Sequence, residues 1–184
     1  IRAEETDDYL DIANAASLLW RLQEAGIDVG DRWRELADKA AGRTDDHTLA
    51  FADAHYMMAL AADGRDTDAE AMLASMGAFA EGRDGVAARI LGEIGRPLCA
   101  ALLAYARGDY ETTIAVLEPI RYDIRHVGGS TAQRDVFHRT LVSAAMKAGH
   151  LTLVRALMSE RSADRPTSIW NWRTYAHVLA AMED

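Results

Sequence analysis

Leu102-Leu103-Ala104-Tyr105-Ala106-Arg107-Gly108-Asp109-Tyr110-Glu111 decides the reading of this chain. An apolar helical run ends at a glycine, and a second helix opens directly after it behind an acidic residue. Glycine adopts the left-handed backbone that closes a helix without the steric cost of a Cβ. Gly26, Gly64 and Gly149 likewise end one apolar helical stretch and precede another. With Gly108, these glycines stand 38, 44 and 41 residues apart, each between two apolar helical stretches. A period of that size marks a stacked helical hairpin, a unit that buries its apolar face only against its neighbours.

Outward from that stretch, the whole sequence reads as helix. Ala, Leu, Met, Arg and Glu dominate, and all are strong helix formers. No alternating β-branched run indicates a strand. Proline is confined to Pro97, Pro119 and Pro166. The pattern predicts hairpins over residues 5–41, 47–81, 86–126 and 130–163, then a capping helix over 168–183. Gly92, Gly95 and Pro97 should interrupt one helix, and Pro119 should bend or divide another. Two capping boxes are expected, Thr67 with Glu70 and Ser130 with Gln133. The predicted fold is all-α, a right-handed solenoid of irregular hairpins in one domain. The first helix of each hairpin should line a concave face. The chain opens in mid-pattern at Ile1, which reads as the C-terminal part of something longer.

A chain of 184 residues buries a core large enough to need no staple. Its one cysteine, Cys99, excludes an internal disulfide and reads as a buried thiol. No apolar run approaches the roughly 18 residues of a membrane span. No basic-then-apolar leader is visible, so the cytoplasm is the expected location. Net charge is -9 but uneven. Residues 1–118 carry 23 acids and 11 bases, whereas residues 119–165 carry 8 bases and 4 acids. An acidic chain with one basic sector argues against nucleic acid as a partner. The sector suits an acidic peptide or a small anion.

The hairpins resemble the tetratricopeptide template. Leu102–Glu111 resembles that motif around its turn, and Ala145, Gly149, Leu151, Val154, Met158 and Pro166 fall at matching offsets in the next hairpin. Three further stretches carry a closer resemblance. They are Ser17–Leu22 followed by Val29–Trp33, then Phe51–Ala59, then Gly128–Asp135 with the late Asn171-Trp172-Arg173. Together they are similar to the C-terminal part of the tetratricopeptide repeat protein 38 family, over most of the chain. The resemblance implies a soluble helical-repeat protein and supplies no catalytic activity.

The Gly128–Asp135 segment is the first candidate site. A glycine pair entering a helix leaves backbone N–H groups free for an anion, which makes Gly129, Ser130 and Arg134 anion-binding candidates. His138 lies one turn beyond Arg134. Asp135 and Arg139 are spaced for an i,i+4 ion pair. Arg21, His55, Tyr56, Arg134, His138 and Arg173 are the expected polar contacts of the concave face. Asp53 and His55 are two apart on one helix, so their side chains diverge. Trp170, Trp172 and Tyr175 should seal the end of the stack. No metal-ligand spacing, nucleophile elbow, phosphate-binding loop or dinucleotide fingerprint is present, so no metal, cofactor or catalytic residue is assigned. The leading expectation is a non-catalytic scaffold for a protein or peptide partner carrying an acidic segment. The alternative is a small-anion or metabolite pocket, enzymatic if Asp53, His55, Arg134 and His138 converge. A homodimer through an exposed array end is a third reading.

Overall fold

The computed structural model describes residues 8–183, and no strand occurs among them. Ten α-helices follow one another: α1 Tyr9–Glu24, α2 Trp33–Ala41, α3 Ala50–Ala62, α4 Asp66–Gly82, α5 Val86–Ile90, α6 Arg96–Ala106, α7 Tyr110–Ile120, α8 Thr131–Lys147, α9 Leu151–Asp164 and α10 Ile169–Ala181. The expected start of the first helix, residues 5–7, lies outside the described residues.

The four periodic glycines do one job. Gly26, Gly64, Gly108 and Gly149 have φ of 77°, 72°, 77° and 78°. After each, the next N–H reaches back five residues, from Ile27 to Leu22, Arg65 to Leu60, Asp109 to Ala104 and His150 to Ala145, all at 2.9 Å. This is the Schellman closure, and it ends α1, α3, α6 and α8 in the same way.

Gly92, Gly95 and Pro97 mark an interruption of the α-helix without a loop. α5 runs into α6 through one π turn, Leu91–Gly95. The wider turn accommodates a proline that has no N–H to donate. Pro119 does end its helix, and a 3-10 turn over Asp123–Val127 follows α7. The Ser130 capping box forms, with Ser130 N–H on Gln133 Oε1 at 2.8 Å and Gln133 N–H on Ser130 Oγ at 3.2 Å. The Thr67 box does not. α4 begins at Asp66, which puts Thr67 inside its first turn, and Glu70 pairs with Arg107 at 2.9 Å instead.

α1, α3, α6 and α8 form the inner layer, with α1 on α3, α3 on α6, α6 on α8 and α8 back on α1. They run in one direction: Ala50 lies beside Gly95 near their starts, and Ala62 and Ala106 share a cavity at their ends. α2, α4, α7 and α9 each pack against the inner helices flanking them in sequence, and α10 covers α9. The seam between α1 and α8 joins the first and fourth hairpins. Trp20 Nε1 donates to Thr140 Oγ1 at 2.9 Å, and Arg21 Nη2 donates to the Ala132 carbonyl at 3.4 Å.

That seam corrects one expectation. The inner helices do not line an open groove; they pack on one another around Phe51, His55, Met58, Leu102 and Phe137, all buried. Each fully buried large apolar side chain contributes roughly 1.5–3 kcal/mol, which outweighs leaving these faces exposed around a cleft.

Candidate anion-binding site

The basic sector folds into a pocket. Its walls are the end of α7, the 3-10 turn after it, the start of α8 and the last turn of α9. The cavity is about 350 Å³. Arg121, Arg125, Arg134, Arg161 and Arg165 line it, with His138, against two carboxylates, Glu160 and Asp164. With His138 neutral, five cations against two anions leave the lining at +3.

Most of these arginines are held in place by the protein itself. Arg121 Nη1 donates to the Glu118 carbonyl at 2.8 Å, and its guanidinium stacks 4.2 Å over the Tyr122 ring. The Tyr122 hydroxyl accepts from Arg121 Nη2 at 3.0 Å and donates to Glu160 at 2.9 Å. Arg161 and Arg165 both donate to Asp135 Oδ1 at 2.8 Å. Arg134 donates to the Gly128 carbonyl at 3.1 Å and also to the Gly129 carbonyl. Arg125, exposed on the 3-10 turn, donates to His126 Nε2 at 3.1 Å.

Two donors are left over. The Nε–H groups of Arg121 and Arg161 are buried and meet no acceptor among the described residues. An unsatisfied buried donor is costly, and a guanidinium matches a carboxylate or phosphate in geometry. Burial pushes the His138 imidazole down, and the charges of Arg161, Arg165 and Arg134 push the same way. Burial alone would raise the Asp135 carboxyl, but the Arg161 hydrogen bond and the Arg161, Arg165 and Arg139 charges hold it below its ordinary value. The pocket therefore combines a fixed anion, Asp135, beneath it with a net-cationic lining.

The structure sorts the expected site residues. Arg134 and His138 share this pocket. Gly129 and Ser130 are spent on the turn, Gly129 against the Phe51 ring and Ser130 in the capping box. Asp135 does not pair with Arg139; Arg139 approaches Glu24 at 3.9 Å and stacks 4.4 Å over Trp170. α9 and α10 bring stronger partners to both residues than the helix surface provides.

His55 is a core residue and not a groove contact. Its Nδ1 lies 2.7 Å from the Phe51 carbonyl, and its ring sits 4.4 Å from Phe51 and 5.3 Å from Phe137. Burial depresses its pKa to about 4. Tyr56 is buried and accepts from Arg43 at 3.1 Å, beside a separate cavity of about 150 Å³ that Asp53 also lines. Arg21 is half-buried and tied to Ser17 and to the Ala132 carbonyl. Arg173 is exposed on α10. Asp53, His55, Arg134 and His138 thus do not converge, because the closed inner layer separates them.

Asp53 pairs elsewhere. His47 Nδ1 lies 3.5 Å from its carboxylate, and His47 Nε2 lies 2.9 Å from Ser75 Oγ. His47 holds φ of +43°, a strained conformation for a non-glycine residue. The pairing fixes the loop before α3 against α4. Nothing in the local spacing of 47, 53 and 75 announces it.

Arg121, Arg125, Arg161 and Arg165 were legible only as a charge excess, without individual assignment. At the chain's end, Trp170 packs under Arg139 and Arg161, while Trp172 stacks on Tyr175 with centroids 6.3 Å apart. No helix of the described residues is long and apolar enough to cross a membrane. No family model matches the chain, and no solved structure matches it.

Proposed function

We propose that this protein is a non-catalytic helical-repeat scaffold that binds an acidic segment of a protein partner at the arginine pocket. The observation that carries this reading is the convergence of five arginines on one cavity against two carboxylates. The +3 lining adds long-range attraction for a negatively charged partner. The hairpin order supports a right-handed, tetratricopeptide-like array wound tightly enough to bring its ends together. In this reading the chain is the C-terminal part of a protein like the tetratricopeptide repeat protein 38 family. Recognition then uses the edge where the third and fourth hairpins meet, since the inner face is filled.

The cavity's volume favours a second reading, a free small anion or metabolite. One titration separates them. A fluorescent Glu/Asp-rich decapeptide is titrated against the parent and against Arg125→Glu, a variant on an exposed side chain. The scaffold reading expects saturable binding to the parent, weakened about tenfold or more in the variant and by added salt. Peptide binding that ignores Arg125→Glu overturns it. No peptide binding, with inorganic phosphate binding in the same pocket, gives the small-anion reading.

A further inference from the structure

The four inner helices point the same way, so their C-terminal ends meet. Their last residues, Glu24, Ala62, Ala106 and Lys147, line one cavity of about 200 Å³. Helix C-termini carry partial negative charge, and four of them converge here. Trp20 and Tyr105, with centroids 5.4 Å apart, supply an aromatic wall.

Two ionisable side chains face this cavity. Glu24 comes from α1, and its side chain is 7% exposed. Thr140 donates to its Oε1 at 3.1 Å, and Arg139 Nε lies 3.9 Å from its Oε2. Lys147 comes from α8. Its Nζ donates to the Tyr105 hydroxyl at 3.1 Å and lies 4.7 and 5.0 Å from the centroids of Tyr105 and Tyr110. Glu24 and Lys147 do not form an ion pair with each other, although they line the same space.

We propose that this mouth binds a small zwitterion, a molecule carrying an ammonium and a carboxylate a few bonds apart. The carboxylate meets Lys147. The ammonium meets Glu24 and the converging helix ends. Either charge alone is poorly served. A lone anion faces four negative helix ends and Glu24, and a lone cation crowds Lys147. A zwitterion sets a cation against the Glu24 carboxylate, which otherwise has Thr140 and a 3.9 Å approach by Arg139, and an anion against the exposed Lys147 ammonium, which otherwise meets tyrosine. Its short aliphatic body lies on Trp20. Burial raises Glu24 to about 7 despite Arg139, Thr140, Arg21 and Lys147, so the carboxyl gains from a closer cation. Tyr105 from α6 and Tyr110 from α7 also line this mouth, and burial raises the Tyr105 hydroxyl above its ordinary value. This site is separate from the arginine pocket and does not rest on it.

The test is isothermal titration calorimetry with glycine, β-alanine and γ-aminobutyrate, which space the two charges differently, beside butylamine and butyrate. At least one zwitterion should bind about tenfold tighter than both single-charge controls. Glu24→Gln and Lys147→Met should each weaken it about tenfold, with helical content by circular dichroism retained. If either variant unfolds, Ala62→Leu, which fills the mouth from α3, should abolish binding. No zwitterion binding at about 10 mM, equal binding by a control, or indifference to the folded variants overturns the proposal.

Discussion

Trp20 and Thr140 lie 120 residues apart in sequence and share a hydrogen bond of 2.9 Å in the buried seam between α1 and α8. The indole N–H has no other acceptor among the described residues, and the hydroxyl passes its own proton toward Val136 or Glu24. Thr140→Val keeps the shape and removes the acceptor. It should lower unfolding free energy by about 1–3 kcal/mol, read by urea denaturation. Trp20→Phe in the Thr140→Val background should cost less than Trp20→Phe alone. Additive losses would mean that the two groups do not act through each other.

Glu24 and His55 set opposing pH dependences. Glu24 is raised from 4.5 to about 7 by burial, so the folded state holds its proton more tightly than the unfolded chain. That contribution is fully present below pH 4.5 and is lost as pH rises to about 7. His55 is lowered from 6.5 to about 4, so its contribution is lost as pH falls from 6.5 toward 4. Each is worth about 3 kcal/mol. The parent should therefore show a nearly flat stability between pH 4.5 and 6.5 from this pair. Glu24→Gln should make stability rise with pH across that window, and His55→Phe should make it fall. Parallel curves for all three proteins would contradict this assignment.

Gly129 touches Phe51. At φ +71°, a Cβ there would lie 2.5 Å from Phe51 Cε2, whereas a Cβ on Gly26 at φ +77° would meet nothing within 4 Å. Both substitutions with alanine incur left-handed strain of about 1 kcal/mol. Gly129→Ala adds overpacking of about 1–3 kcal/mol. Gly129→Ala should therefore melt well below Gly26→Ala in a calorimetric scan.

Asp135 is the anion beneath the arginine pocket. Asp135→Asn removes the charge shared by Arg161 and Arg165, at a cost of about 2 kcal/mol. An added anion should recover part of that loss. Sulfate should raise the melting temperature of Asp135→Asn more than that of the parent, an effect visible by differential scanning fluorimetry. An equal response in both proteins would show that the pocket does not hold the ion.

The hairpins were legible because each is a local matter: an apolar stripe, a turn glycine and a cap lie within one stretch of chain. Ser130 and Gln133 are three residues apart, and their box forms. The failures are tertiary. Glu70 and Asp135 each had a sequence-neighbour partner, and each took an arginine from another helix instead. His55 reads as a polar residue on an apolar stripe, and only the packing of Phe137 across α3 shows that the stripe is core on all sides. The arginine pocket was visible as a sign of charge but not as a cavity, because α7, α8 and α9 each contribute part of its wall. Glu24 carried an unused signal. It falls one turn beyond Trp20 and two beyond Ala16, both buried, which places a carboxylate on the inward stripe of α1.

The α1–α8 seam alters how this chain folds. An open array of hairpins frays from its ends, since each unit leans only on the next. Here the first hairpin reaches its full partner set only after the fourth has been made. The contact order is raised, the loop that must close spans more than half the chain, and loss of either end withdraws support from both. Denaturation should then be a single cooperative event, and removal of the fourth hairpin should unfold the first.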